Sequence, residues 1–384
     1  MPGVEHVNRY LTLEDVDVEG KDVLVRSDLN VPIDDGLVGD DFRIRSALPT
    51  LERLVHAGAR VSVCSHLGRP KGADLSLSLE PVARRMGDLT DVDVAFDGPG
   101  DIRVFENTRF SEGETSNDPA TSEQLANDFD LFVQDAFGSV HRAHASTVGV
   151  AERVQSVAGP LLDNELKAFD RFLTDPGRPY TVVLGGAKIS DKLGVIDNLL
   201  PKVDRMLIGG GMCFTFLKAR RREVGGSIVQ EEMVEAVAGL LDGPNGRKII
   251  LPVDIAVGDE FDEDTTRTVV GASEIPAGSI GLDIGPSTAA GFRELIESSA
   301  SVFWNGPMGV FEWERFRRGT DLIARALAAC QGFTAVGGGD SAAALRLLGL
   351  DDTVSHLSTG GGAGLELLEG KILPGVAVLE RWVQ

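Results

Sequence analysis

The chain has 384 residues, 42% hydrophobic and 25% charged, which excludes a disordered or fibrous class and leaves room for two domains of the usual ~100–200 residues. Its net charge is −22, so nucleic acid and anionic membranes are excluded as partners, because their phosphates would be repelled. With 9 lysines against 28 arginines, the acid excess suits a surface built for concentrated salt; a plainly soluble, acidic cytosolic protein is the other reading.

The opening stretch "MPGVEHVNRYLTLEDVDVEG" has no apolar core region and carries acids early, so no signal peptide is expected. No apolar run approaches ~18 residues, so no membrane helix is expected. Cys64, Cys213 and Cys330 are isolated and flanked by apolar or small residues. They read as core thiols in a reducing compartment, hence a cytoplasmic location.

In chain order, the first half offers strands at 22–28, 60–66, 101–107 and 130–136, with helical patterns at 45–57 and 121–129. A helix at 161–178, ending in a Pro/Gly break, reads as the joint. The second half offers strands at 181–186, 205–211, 248–254, 301–306, 334–339 and 355–362. Helical patterns follow at 189–199, 212–221, 230–241, 288–298, 319–330 and 341–348. Short apolar strands alternating with helices predict α/β architecture with two doubly wound parallel sheets.

The strand ends differ between the halves. Ligands of such sheets bind at the carboxyl ends of strands. In the first half those ends carry Arg26, Asp28, Asn30, His66, Arg69, Arg109, His141, Arg142 and His144. In the second half they carry Gly185-Gly186, Gly209–Gly211, Gly337–Gly339 and Gly360–Gly362. Glycine lets backbone approach a ligand closely, and a following helix offers free N–H groups to phosphate. Arginines hold carboxylate or phosphate through paired hydrogen bonds. Together they point to a small anion in one half and a nucleotide in the other.

Plainer readings stand beside these. Tight strand-to-helix turns need glycine anyway, above all at Gly209–Gly211. Arg69 alone reads as a surface residue. His141 and His144 in "HRAH" have zinc spacing but no evident third ligand. Asp340 reads equally as a helix N-cap or as a metal ligand beside phosphates. No G-x-x-x-x-G-K-[ST] is present, so a P-loop is excluded. Gly337-x-Gly339-x-x-Ala342 fits a relaxed dinucleotide pattern, but the next strand ends "SHLST" without an acid for the ribose, which counts against NAD.

Ten stretches in order then resemble the phosphoglycerate kinase family: "VRSDLNVP" (25–32), "DDFRIRSALPT" (40–50), "SHLGRPKG" (65–72), "FENTRF" (105–110), "DAFGSVHRAHAS" (135–146), "LGGAKISDKLGVIDNLL" (184–200), "IGGGMCFTFLK" (208–218), "WNGPMGVFE" (304–312), "VGGGDSAAAL" (336–345) and "SHLSTGGGAGLELLEGKILPG" (355–375). The resemblance implies two Rossmann-like domains joined by a helix: 1–160 for 3-phosphoglycerate, a linker at 161–178, and 179–372 for the nucleotide. A tail, 373–384, would return to the first domain. It implies reversible phosphoryl transfer from 1,3-bisphosphoglycerate to MgADP, in line after domain closure, by a monomer.

Site roles follow from the same resemblance. Arg26, Asp28, Asn30, Arg43, His66, Leu67, Gly68, Arg69, Arg109 and Arg142 would bind the glycerate substrate. Gly186, Lys188, Lys192, Asn305, Glu312, Gly338, Gly339, Asp340 and Ser341 would bind the nucleotide, with Mg²⁺ on Asp340. Arg43, Lys192, Gly361 and Gly362 would act on the transferred group. Ser27 stands where the family usually has valine, Thr108 where an apolar residue is usual, and Gly364 where serine is common; these bear on packing.

The charge makes a prediction of its own. Acid self-repulsion destabilises the compact state, and salt shortens its range from ~10 Å at about 0.1 M to ~3 Å at about 1 M. The melting temperature is expected to rise markedly between about 0.1 M and about 2 M KCl, with activity kept. A flat or falling series of thermal melts would mean that the acidity serves solubility alone.

Overall fold

A computed structural model describes residues 10–383; residues 1–9, part of the stretch read as lacking a signal peptide, lie outside it, as does Gln384. The chain forms two compact units, one up to Lys167 together with Lys371 onward, the other Ala168–Gly370. The cut falls within the helix Pro160–Thr174. That helix stops short of the expected 178, because Pro176 disfavours helical backbone in the residue before it.

The first unit is built on a six-stranded parallel sheet in the order Val94–Phe96, Ile102–Val104, Arg60–Cys64, Asp22–Arg26, Leu131–Gln134, Ser156–Ala158. Its inner strands are mostly apolar and buried, as expected where helices cover both faces. Val23, Val25, Val61, Val63 and Val133 pack with Ile44, Leu48 and Leu51 of the helix Phe42–His56. Four of these strands match the runs 22–28, 60–66, 101–107 and 130–136; the sheet's two edge strands, Val94–Phe96 and Ser156–Ala158, of three residues each, do not match any of them. From Lys371 the tail is tied to this unit: Gly375 N–H donates to Val140 O (2.8 Å), and Trp382 Nε1 to Ala151 O (2.8 Å).

The second unit has its own parallel sheet, ordered Ile249–Ile250, Arg205–Ile208, Tyr180–Leu184, Ser301–Asn305, Phe333–Gly337, His356–Leu357. Strand order therefore reverses between Tyr180–Leu184 and Ser301–Asn305, as in a doubly wound fold. In the first unit it reverses between Asp22–Arg26 and Leu131–Gln134. Phe172 stacks on Tyr180 (5.5 Å between centroids) and meets Phe303 and Phe333. A Cβ on Gly364 would lie 2.7 Å from Phe169 Cζ, so the serine common there would not fit. Ser27 and Thr108 are buried with hydroxyls that find no hydrogen-bond partner among the described residues, which fits positions usually apolar.

One strand reading is corrected. The run 248–254 is not one strand: Ile249–Ile250 ends in the parallel sheet, and Asp254 opens another strand after Pro252. Asp254–Gly258 pairs antiparallel with Thr268–Gly271 and Ile280–Ile284 in a separate three-stranded sheet. Proline lacks the N–H that a continuous ladder needs. The two thiols Cys64 and Cys213 are buried and free, and burial pushes Cys64 up to about 12; Cys330 is half-buried, at the edge of the core.

Asp135 ties the helix Pro160–Thr174 to the first sheet. Its Oδ1 accepts the N–H groups of Leu161 (2.8 Å) and Leu162 (3.2 Å). Burial pushes its carboxyl up to about 6, against hydrogen bonds from Thr50, Leu162 and Leu161. The folded value exceeds the unfolded ~3.9, so this group's contribution is whole below about pH 4 and lost as pH rises through about 6. Asp135→Asn cannot ionise. Its melting temperature relative to wild type is expected to rise between about pH 4 and about pH 6, then to level off. A difference that stays constant across that window would refute the assignment.

Candidate active site

Each reversal point carries a cavity at the carboxyl ends of its strands, and each is a property of one unit. In the first unit a cavity of about 230 Å³ is lined by Arg26, Arg69, Arg109 and Arg142 with His66, His141 and His144. Arg26 is its floor. Only 1% exposed, it sits where the central strand ends and donates from Nε to Ser146 Oγ (2.9 Å). Its Nη1 reaches Ser27 O, and its Nη2 reaches His66 Nδ1 (3.0 Å). Guanidinium has no acceptor, so His66 Nδ1 accepts and the ring proton sits on Nε2. Burial, then Arg26, Arg109 and Arg43, hold His66 well below its usual value, so it is neutral near pH 7.

The wall is braced by backbone contacts. Asn30 Oδ1 accepts Gly68 N–H (2.9 Å). Asn107, unread as a site residue, accepts from Leu67 N–H (3.2 Å) and Arg109 N–H (3.1 Å) and donates to Leu67 O (2.8 Å). That fixes the turn 66–69, where Gly68 has φ +63. Its signal was an Asn at a strand end inside "FENTRF". Leu67 is itself buried; Asp28 and Arg43 stand outside the lining, joined by a salt bridge from Nη1 to Oδ1 of 2.7 Å. Arg43 Nη1 also donates to Asn30 O (3.2 Å), so it flanks the cavity.

The second unit's cavity measures about 350 Å³ and gathers Gly186, Lys188, Lys192, Asn305, Gly338, Gly339, Asp340 and Ser341. Asp191, Gly306 and Pro307, not singled out in the sequence, line it too. Lys192 is buried and donates Nζ to Asn305 O (2.9 Å) and to Asn305 Oδ1, while Asn305 Nδ2 donates to Gly337 O (2.8 Å). Ser341 Oγ accepts Gly306 N–H (2.6 Å). Asn305 and Ser341 thus lock neighbouring strand ends together.

Other sequence candidates sort differently. Gly210 has φ +61, and a Cβ there would lie 2.4 Å from Gly186 N, so Gly209–Gly211 is a tight connection beneath the cavity. Glu312 is exposed, and neither it nor Gly361 and Gly362 lines either cavity. Gly361 has φ +49 with open space around its Cβ position, and Gly362 opens the helix Gly362–Leu368. Asp340 is not an N-cap: Gly338, at φ +93, caps the helix Gly339–Leu347, and Asp340 lies in its first turn. Among the described residues no three His, Cys, Asp or Glu side chains gather to hold a metal, so the zinc reading of "HRAH" lacks a site. Asp340 still suits Mg²⁺, which takes one or two carboxylates and completes its shell with water and phosphate oxygens.

A family model described as phosphoglycerate kinase matches residues 13–371, a span containing both cavities. The chain belongs to the phosphoglycerate kinase family. It is 53% identical over 395 aligned positions to a phosphoglycerate kinase of Salinispora arenicola, covering 96% of this chain and 99% of that one. A phosphoglycerate kinase of Rubrobacter xylanophilus is 51% identical, covering 96% and 97%. The solved phosphoglycerate kinase of Coxiella burnetii superposes with a TM-score of 0.89 at 40% identity, covering 98% of this chain and all of that one. That of Pyrococcus horikoshii gives 0.86 at 31%, covering 97% and 99%. Two Rossmann-like domains and a kinase, hence phosphotransferase, activity follow from this membership. Among the described residues no helix is long and apolar enough to cross a membrane.

Burial pushes the Lys192 ammonium down to about 8, against the opposing charges of Asp340 and Asp191. Asp340→Asn removes the larger opposing charge. The Lys192 ε-CH₂ signal in NMR is expected to titrate near pH 8 in the wild type and lower in Asp340→Asn. A midpoint that stays or rises would show that Asp340 does not act on Lys192.

Proposed function

We propose that this chain catalyses reversible phosphoryl transfer from 1,3-bisphosphoglycerate to ADP, giving 3-phosphoglycerate and ATP, as a cytoplasmic monomer. The observation that carries this is the basic cavity of the first unit, four arginines converging on one strand-end site in a chain of net charge −22. Such a site takes a small phosphate ester, and the glycine-lined cavity with Lys192 takes a polyphosphate.

His66, Arg69, Arg109 and Arg142 hold the glycerate's distal phosphate in this reading, with Arg26 supporting the site from beneath. Asp28 and Asn30 bind its hydroxyl and carboxyl end. Lys188, Lys192 and the helix start at Gly338–Ser341 hold the nucleotide phosphates, Asn305 orients Lys192, and Glu312 meets the ribose. Asp340 would hold Mg²⁺, which neutralises phosphate charge when bound. Arg43 stabilises charge on the group in transit, and Gly361 and Gly362 offer it backbone N–H groups. The attacking oxygen is already ionised, so no general base is needed. Catalysis is positioning and electrostatics. The units 1–160 and 179–372 serve as glycerate and nucleotide domains.

A coupled assay with ATP and 3-phosphoglycerate is expected to show turnover. Arg43→Ala is expected to lose ~10³–10⁵ of it, while ADP affinity holds. Absence of wild-type turnover would refute the function, and near-normal turnover in the variant would refute the role of Arg43.

A further inference from the structure

Glu114, in "SEGETSND", has no part in the roles given above, yet its carboxylate is wholly buried behind the basic cavity. Its Oε2 accepts Ser146 N–H (3.0 Å) and its Oε1 accepts Ser146 Oγ–H (2.6 Å). Since Ser146 Oγ gives its proton to Glu114, its lone pairs face Arg26 Nε–H, 2.9 Å away. Oε1 also lies 3.7 Å from His144 Nδ1, and Glu114 O accepts Ala145 N–H (2.8 Å). A continuous chain thus runs from buried carboxylate through one hydroxyl to buried guanidinium.

Arg26 needs such a chain. A guanidinium removed from water is costly unless compensated by charge and hydrogen bonds. Its other partners, Ser27 O, Ser65 Oγ, Ser139 Oγ and neutral His66, carry no negative charge. Asp28 is engaged by Arg43. Glu114 is the acid linked to it, and the link also sets the plane in which its Nη groups lie.

We propose that Glu114 is a positioning residue for the phosphate of phosphoglycerate: through Ser146 it fixes the Arg26 guanidinium, and beside it His144, before substrate arrives. The inference rests on reading this cavity as the phosphoglycerate site. Both Ser146 donors require acceptors. Glutamine supplies one acceptor and one donor, so Glu114→Gln breaks the chain at nearly constant volume. Ser146→Ala removes the middle link and keeps the carboxylate.

Titration calorimetry of wild type, Glu114→Gln, Ser146→Ala and the double variant with 3-phosphoglycerate, and separately with MgADP, tests this. Each single change is expected to weaken 3-phosphoglycerate roughly tenfold to a hundredfold, the scale of a hydrogen bond to a charged group, and to leave MgADP binding unchanged. The double variant is expected to lose little more than the worse single one, because both cut the same chain. KM for 3-phosphoglycerate should rise with KM for nucleotide fixed, a split that general unfolding would not produce. Should Glu114→Gln fail to fold, Ser146→Ala decides alone. Unchanged or tighter 3-phosphoglycerate binding in a folded variant overturns the proposal, tighter binding meaning that the carboxylate only dampens positive charge. Additive losses overturn the relay. A wild type that ignores 3-phosphoglycerate would sink the functional reading and this inference with it; failure in the variants alone sinks only the inference.

Discussion

Arg26 ends the central strand of the first sheet with its guanidinium almost sealed from water, and the first cavity is organised around that one buried cation. A charge there must be satisfied on every side. Ser65 and His66 from the end of one neighbouring strand, and Ser139 and Ser146 from the loop after the other, all turn their polar atoms toward it. The segment "HRAHAS" is held against the sheet for this reason. Fixing the floor leaves Arg69, Arg109 and Arg142 to line the opening above it. Burial and neighbouring arginines keep His66 neutral, so it can accept from Arg26 rather than repel it.

The second unit meets a different constraint, the close approach of backbones. Gly185, Gly186, Gly210 and Gly306 lie where any Cβ would strike backbone atoms or strain the chain: a Cβ on Gly185 would lie 2.1 Å from Pro307 O, and one on Gly306 2.5 Å from Gly185 O. Those contacts draw the ends of three strands together around a single buried amine, Lys192. The cavity there is walled by close-packed glycine backbone around one desolvated cation. The cavity of the first unit presents cations on side chains; that of the second presents backbone. Both lie at the point where strand order reverses, because only there do neighbouring crossovers leave a cleft.

The net charge of −22 sets the background for both. Surface ion pairs such as Arg45–Asp41 and Arg60–Asp22 are numerous but exposed, and such pairs contribute little each. The positive charge that matters for an anionic ligand is the fraction gathered into the first cavity, where four arginines converge.

Much of this was legible in the sequence. Four-to-six-residue apolar runs alternating with helical stretches fixed two parallel sheets, since that pattern survives only with both faces covered. The basic and glycine strand ends were already asymmetric in one dimension, because the fold puts ligands at those ends. Three-residue edge strands and the antiparallel sheet of Asp254–Gly258, Thr268–Gly271 and Ile280–Ile284 were not legible; their pairing depends on partners far along the chain. Nor could the sequence separate Gly209–Gly211, a tight connection, from Gly338–Gly339, a cavity wall: both are glycines after a strand, and only the neighbours of each absent Cβ tell them apart. Asn107 gave only the signal of an Asn at a strand end, and Glu114 gave none, because nothing local marks the partners a buried carboxylate will meet. The sequence by itself determined which residue types stand at strand ends, because local pattern places the strands. The tertiary structure alone decided which buried charges face one another, because Arg26 meets Ser146 across 120 residues of chain, and Ser146 meets Glu114 across 32, only once those segments are packed together.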